Sequence, residues 1–290
     1  KEVWRQIESF AGYSFSKAHS ASYAVESYQS LYLKAHFPLE FITGVINNFG
    51  GFYSTWVYFN EARVSGANLH PPCVNNSEYK TVIKGKDIFI GFIHVANLEG
   101  ELGRAIAEVR KGEGTQGERA FTGVEDFINR VQLSLEQLIL LIRAGAFRFT
   151  GKPKAALLWE AHMVAGNEKM AKWRKGEIAK SGNGEIAKNS LLFPVQMKKF
   201  ELPALEQNLL ADVYDEIELL GFPVTNSYFD LLHTKYRGDI LASEMSANVG
   251  KSLRMLGLLV TIKYVRTVKK EWMHFGTFID VNGHFFDTVH

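Results

Sequence analysis

Apolar positions recur at three- and four-residue spacing through the first 65 residues, and Val25, Tyr28, Tyr32 and Ala35 fall on one face of a single predicted helix. Pro38 breaks that helix or opens the next. Phe41, Val45, Ile46 and Phe49 then keep the same period up to Gly50-Gly51, and the Tyr28/Tyr32 stripe reads as a packing face. The pattern changes over 66–95, where Asn68-Leu-His-Pro-Pro-Cys-Val-Asn-Asn-Ser is loop chemistry with short strand-like runs at 81–83 and 88–93. Helical spacing returns over 98–165, interrupted by Gly112-Glu-Gly-Thr-Gln-Gly117. Residues 166–190 carry the pentapeptide Gly-Glu-Ile-Ala-Lys twice, at 176–180 and 184–188. A unit that short builds no solenoid, so the segment predicts a charged, partly helical linker. One more helix, rich in Glu and Leu, is expected within 191–235 and ends at Gly221-Phe-Pro223. Past 250 the period becomes two: strands over 253–265 and 272–281 are joined by the basic turn Lys269-Lys270, and Asn282-Gly283 is the strongest hairpin signal in the chain. Met273, Phe275 and Ile279 share one face of the second strand and are expected to point inward.

At 290 residues, with 46% hydrophobic and 22% charged positions, the chain suits two or three small domains with packed cores. A net charge of +2 is a weak electrostatic footprint, so any nucleic-acid contact rests on local patches rather than on the overall balance. The single cysteine, Cys73, excludes an internal disulfide and a multi-cysteine zinc site, which points to a reducing, cytoplasmic setting. No apolar run has membrane-spanning length, and no membrane partner is expected. The chain opens on Lys1-Glu-Val-Trp4 without an initiator Met or a leader pattern, and it stops inside an alternating run, Phe285 to His290. Both ends look cut, and a piece of a longer protein is the expectation.

Three places carry candidate chemistry. The segment 10–23 packs Tyr13, Ser16, Lys17, His19, Ser20, Ser22 and Tyr23 together where a helix is expected to begin. Lysine offers a point charge to phosphate, and hydroxyls and helix-start N–H groups add directed donors. Alternatively, Lys17 is a solvated lysine and His19 a structural one. Around Gly145 stand Arg143, Arg148, Lys152 and Lys154. Such a glycine turn between helices lets backbone N–H groups and cations meet a DNA phosphate without reading sequence, unless it is an ordinary helix C-cap. Lys269 and Lys270 cap a region where further basic residues alternate with Tyr264, Trp272 and Phe275, a composition suited to single-stranded DNA. No Asp-x-Asp pair, no His-x-x-x-His pair and no Walker-type loop occurs, so no catalytic and no metal-binding residue is assigned.

The run Phe10-Ala-Gly-Tyr-Ser-Phe-Ser-Lys-Ala-His19-Ser-Ala-Ser-Tyr23, with Tyr28-Gln29 and Leu33-Lys-Ala-His-Phe-Pro38, resembles the fingers signature of the bacterial C-family replicative DNA polymerases, the DNA polymerase III alpha subunits. Further matches follow in order. Residues 91–158 resemble that family's helix-hairpin-helix region, Asn189-Ser-Leu-Leu-Phe193 its clamp-binding peptide with Asn for Gln, and Glu218-Leu-Leu-Gly-Phe-Pro-Val-Thr225 the run that precedes its OB-fold. The resemblance implies a mainly α, multi-domain chain: a helical fingers part at 1–66, a helix-hairpin-helix domain at 67–165, a linker with the clamp peptide at 166–200, a helical connector at 201–249, and a truncated OB-like β-barrel at 250–290. An OB-fold needs five strands, so the barrel would be incomplete.

For roles, the resemblance implies nucleotide or template contact by Tyr13, Ser16, Lys17, His19 and Tyr23, with Gln29, Lys34 and His36 supporting their helix. It implies DNA-backbone contact by Arg143, Gly145, Arg148, Lys152, Lys154, Lys269 and Lys270, and clamp binding by Asn189, Leu192 and Phe193. Partners would be primer–template and single-stranded template DNA, the sliding clamp and other replisome subunits. Magnesium would belong to palm aspartates of the parent polymerase, with no cofactor in this chain, which alone is expected to be inactive. The sequence departs from the family where Val95-Ala-Asn-Leu-Glu99 replaces the usual Ile-Lys-Gly-Val-Gly, where Arg148 replaces a common Asp, and where Ser227-Tyr228 replaces His-Pro. The first turn is therefore expected to be structural, because Glu99 repels phosphate. A non-catalytic DNA-binding replisome scaffold, an error-prone relative of the same polymerase, and an unrelated helical structural protein remain as alternatives.

Overall fold

The computed structural model describes residues 2–13, 17–112, 119–165 and 209–290, and among these it contains nine α-helices and two three-stranded sheets. The first four helices are α1 (Glu2–Tyr13), α2 (Lys17–His36), α3 (Pro38–Asn47) and α4 (Thr55–Val64). Pro38 opens α3 as its first residue and keeps the preceding Phe37 out of the helical region, which divides α2 from α3. Val25, Tyr28 and Tyr32 are 56%, 72% and 50% exposed, so the stripe expected to pack is bare in the described structure. The apolar burial falls instead on α3 and α4, whose Ile42, Ile46, Val57 and Phe59 are sealed from solvent. An ion pair, Lys34 to Glu61 at 2.7 Å, links α2 to α4.

A small sheet follows, built from β1 (Asn68–His70), β2 (Val82–Lys84) and β3 (Asp87–Phe89) in the order β1-β3-β2. Strands β2 and β3 overlap the strand-like runs at 81–83 and 88–93 and pair antiparallel, whereas β1 pairs parallel to β3 from a segment that reads as loop. Helices α5 (Gly100–Lys111), α6 (Val124–Arg130), α7 (Leu135–Arg143) and α8 (Lys154–Ala165) come next, and α9 (Leu209–Leu220) stands where a Glu- and Leu-rich helix is expected. Gly221, at φ +85°, ends α9 in the left-handed conformation that glycine adopts at least cost.

Two cores form. One lies within the helices from α5 to α8, where Phe121, Phe127 and Phe147 meet edge to face at centroid distances of 5.0 and 5.1 Å. The other joins Ile42, Ile46 and Phe59 of α3 and α4 to Ile88 and Ile90 of the small sheet and to Leu219, Leu220 and Phe222 at the end of α9. Phe59 and Phe222 stack there at 4.9 Å. Each such fully buried ring contributes about 1.5–3 kcal/mol over an exposed one.

The remaining strands, β4 (Leu258–Arg266), β5 (Trp272–Ile279) and β6 (Phe285–Val289), form an antiparallel meander in the order β4-β5-β6. It is an open sheet, and no barrel closes among the described residues. Of the three side chains expected to point inward, Ile279 is buried while Phe275 remains 38% exposed. The β5–β6 turn falls at Asn282-Gly283 as predicted. Buried Asp280 holds it by accepting from the backbone N–H of Asn282 at 2.9 Å, of His284 at 3.0 Å and of Ala242 at 2.9 Å. Asn60 of α4 donates to the Gly283 carbonyl at 2.9 Å and ties the sheet to the helical part.

Candidate nucleic-acid interface

The first hairpin runs from β3 through Ile90-Gly91 and a short 3-10 turn, Phe92–His94, into α5. Gly91 lies against the chain from Tyr79 to Thr81 so closely that a Cβ would stand 2.3 Å from the Lys80 carbonyl carbon and 2.4 Å from the Thr81 nitrogen. The connecting turn, 95–99, is held by one side chain of the second hairpin. Gln137 of α7 accepts from the Glu99 N–H at 2.9 Å and donates to the Asn97 carbonyl at 3.1 Å. The Ala96 N–H donates to the Leu219 carbonyl at 2.8 Å. Backbone groups that a glycine turn would hold out to phosphate are thus engaged inside the protein, and Glu99 and Glu101 flank them. This agrees with the structural role expected for a turn that lacks its glycines.

His94 sits at the base of this hairpin between the rings of Phe49 and Phe59, at 5.4 and 5.6 Å. Its Nε2 is buried with no hydrogen-bond partner among the described residues. Burial disfavours the charged ring and pulls its pKa down to about 4.

The second hairpin starts at Ser134, whose Oγ accepts from the Gln137 N–H at 3.3 Å and caps α7. Helix α7 ends in a Schellman arrangement, with the Ala146 N–H donating to Leu141 at 2.9 Å and the Gly145 N–H to Ile142 at 3.0 Å. Gly145 takes φ +87°, and a Cβ there would also press on the Arg148 guanidinium at 2.7 Å from Nε. A second left-handed glycine, Gly151 at φ +68°, turns the chain into α8.

The cations gathered around Gly145 meet acids. Arg143 Nη2 lies 2.7 Å from Asp215 and 2.6 Å from Glu218. Lys154 lies 2.6 Å from Asp212 and 2.7 Å from Asp215. Arg148 lies 2.8 Å from Glu216, whose side chain is wholly buried. Lys152, just before α8, pairs with Glu160 of that helix. Hydrogen bonding to Glu218, ahead of the contribution of Asp215, holds Arg143 still more firmly in its charged form. A cleft of about 420 Å³ runs between Gly145, Arg148, Gly151–Lys154 and the Asp212/Asp215 edge of α9. Glu216 also accepts from the Val224 N–H at 2.7 Å, the Thr225 N–H at 3.0 Å and the Thr225 hydroxyl at 2.8 Å, which pins the chain after α9. Asp212 and Asp215 have the spacing of a helix surface, and nothing local in the sequence connects them to the second hairpin. The signal available was charge balance: four cations within 143–154 and four acids within 212–218.

Elsewhere, Lys269 and Lys270 are exposed on the β4–β5 turn, with Lys270 at φ +66°. Behind that turn Tyr264 meets His274 edge to face at 4.7 Å, and Trp272, paired in register with Arg266, is 65% exposed. In the fingers-like segment His19 meets Tyr23 edge to face at 4.4 Å near the start of α2. Tyr13 closes α1 and Lys17 opens α2, while Ser16 lies outside the described residues. Asn189, Leu192 and Phe193 also lie outside the described residues. Among the described residues no group of three or more His, Cys, Asp or Glu side chains is placed to hold a metal ion. The sequence contains no Asp-x-Asp pair.

Residues 66–157 match the family model of the helix-hairpin-helix motif, in agreement with the two hairpins just described. Along nearly all its length the chain is similar to the DNA polymerase III subunit alpha of Aquifex aeolicus, 27% identical over 291 residues that cover 98% of this chain and 22% of that protein. The Thermus aquaticus DNA polymerase III subunit alpha is 31% identical over 59% of this chain and 13% of its own length, and the error-prone DNA polymerase of Bdellovibrio bacteriovorus 32% over 59% and 16%. The chain is therefore similar to bacterial DNA polymerase III alpha subunits and spans about a fifth or less of the length of these relatives. No described helix is long and apolar enough to cross a membrane.

Proposed function

We propose that this chain is the fingers, hairpin and early OB-like portion of a DNA-directed DNA polymerase, and that it contributes DNA binding and nucleotide or template contacts to primer extension. The observation that carries this is the colinear likeness to one alpha subunit over 98% of the chain, with the helix-hairpin-helix match inside it. Tyr13, Ser16, Lys17, His19 and Tyr23 are the nucleotide- or template-facing group. Gly145 with Arg143, Arg148, Lys152 and Lys154 meets the DNA backbone, as do Lys269 and Lys270 on the sheet. The β4–β6 meander is the first part of an OB-like barrel. Asn189, Leu192 and Phe193 dock on a sliding clamp through two apolar anchors, and other replisome subunits are further partners. When bound in the parent polymerase, magnesium supplies charge stabilisation for nucleotidyl transfer; no residue of this chain is assigned to it.

The test is binding of the chain to primer–template and single-stranded DNA at two salt concentrations. Sequence-independent, salt-sensitive binding that weakens with Arg143→Ala/Arg148→Ala supports the hairpin assignment. Loss with Lys17→Ala places DNA at the fingers-like segment, and a Lys17 that serves only nucleotides leaves DNA binding unchanged. No binding at low salt counts against the polymerase assignment. An error-prone polymerase is the second reading, favoured by the Bdellovibrio bacteriovorus relative. The misincorporation rate of the full polymerase that contains this stretch separates the two.

A further inference from the structure

We propose that α9 is a built-in competitor for phosphate, whose carboxylates occupy the cations of the second hairpin and hold its DNA affinity down. The proposal rests on the DNA-backbone role assigned above to that hairpin and adds its regulation. Two of the four cations, Arg143 and Lys154, face only part of their surroundings to solvent, 28% and 16% by side chain, and each is contacted by two α9 carboxylates at 2.6–2.7 Å. A DNA phosphate that uses these cations must take the place of a carboxylate. The cleft that would admit it is present between Gly145, Gly151–Lys154 and the same edge of α9.

The exchange requires side chains to move and leaves the helix in place. Helix α9 is anchored by buried Val213, Leu219 and Leu220 and by Glu216, which is wholly buried and satisfied by four donors. Glu216 therefore belongs to the scaffold, while Arg148, 36% exposed by side chain, also lines the cleft. The competing carboxylates lie on the outer edge: Glu218, 64% exposed by side chain, Asp212, 34%, and Asp215, 17%. The pair with the most exposed carboxylate, Arg143–Glu218, is the weakest, since exposed pairs contribute about 0–1 kcal/mol, and a polyanion that brings several phosphates at once displaces it first. The pairing sets a threshold: contact follows only when other parts of the DNA are already bound and raise the local phosphate concentration.

The experiment uses the whole chain and a fluorescently labelled duplex of arbitrary sequence. The variant Asp212→Asn/Asp215→Asn/Glu218→Gln is expected to bind about tenfold tighter at low salt, and that gain should shrink about tenfold over a roughly fourfold rise in salt, the slope for two added phosphate contacts. Adding Arg143→Ala and Lys154→Ala to the same background should abolish the gain. A triple variant with unchanged affinity overturns the proposal, and so does a gain that survives loss of both cations, which would be bulk charge. If the triple variant does not fold, Glu218→Gln alone, on an exposed position, should tighten binding about threefold, and no change there overturns the proposal equally. Failure of every protein to bind at the lowest salt is a different result: it removes the DNA role of the hairpin, and the competitor with it.

Discussion

Removing the Glu216 carboxylate is expected to be the most damaging single change outside the apolar cores. In Glu216→Ala the N–H groups of Val224 and Thr225 and the Thr225 hydroxyl lose their common acceptor, and Arg148 loses its partner. The buried Val224 N–H has no route to water, and an unsatisfied buried donor costs about 1–3 kcal/mol. Hydrogen bonds to a charged acceptor contribute about 1.5–3 kcal/mol each. Not all of that is lost, because the Arg148 side chain is 36% exposed and turns to solvent. The cost comes from the Val224 and Thr225 donors left without their acceptor rather than from the ion pair, and about 3–5 kcal/mol is the expectation here. It corresponds to a fall in melting temperature of roughly 6–20 °C for a part this size. Urea denaturation followed by far-ultraviolet circular dichroism measures it. Arg148→Ala should cost distinctly less, since three donors still satisfy the carboxylate. A Glu216→Ala loss below about 1 kcal/mol, or an Arg148→Ala loss as large as that of Glu216→Ala, would refute the assignment of Glu216 as the anchor.

Further outcomes are expected. His94 has a folded pKa near 4, below its ordinary 6.5, so the unfolded chain takes up the proton first as pH falls; stability is unaffected above 6.5, drops between 6.5 and 4 by roughly 3 kcal/mol in all, and the drop is largely abolished in His94→Phe, as denaturation midpoints across that window will show. Gly91→Ala should destabilise by about 1–3 kcal/mol in thermal melts, because the new methyl group meets the backbone of residues 79–81 rather than a side chain able to move. Asp280→Ala should loosen the β5–β6 hairpin and its link to residue 242, read as faster amide exchange at Asn282 and His284 with α7 and α8 protected as before.

Periodicity made the helices and the β4–β6 meander legible, and local turn chemistry did the same for Gly221 and Asn282-Gly283. What it missed depends on partners far away in the chain. Strand β1 has three residues and owes its conformation to β3, so nothing within Asn68–His70 announces it. Periodicity also fixes which residues share a face without saying what covers that face: Tyr28 and Tyr32 do lie on one side of α2, and the described structure leaves them exposed. At the candidate interface the glycines and cations of the second hairpin were readable, because a Schellman turn has a local signature. Their counter-ions were not, since Asp212, Asp215 and Glu218 come from more than fifty residues further on. The same distance hid Gln137, an amide that reads as an ordinary polar helix position until its partners at 97 and 99 are seen.

Gln137 also limits how this module can be recombined. Its amide fits one turn conformation, with a carbonyl at 97 and an N–H at 99, and Asn97 reaches that conformation at φ +62° without a glycine. Grafting a glycine-rich first hairpin onto the present second hairpin would confront the amide with a backbone of different shape and leave its polar atoms short of partners. Transplanting the present first hairpin onto a second hairpin without the glutamine would leave the Glu99 N–H bare. The two hairpins are interchangeable between related chains only as a pair, so crossovers that separate position 97 from position 137 are the ones expected to yield poorly folded chimeras.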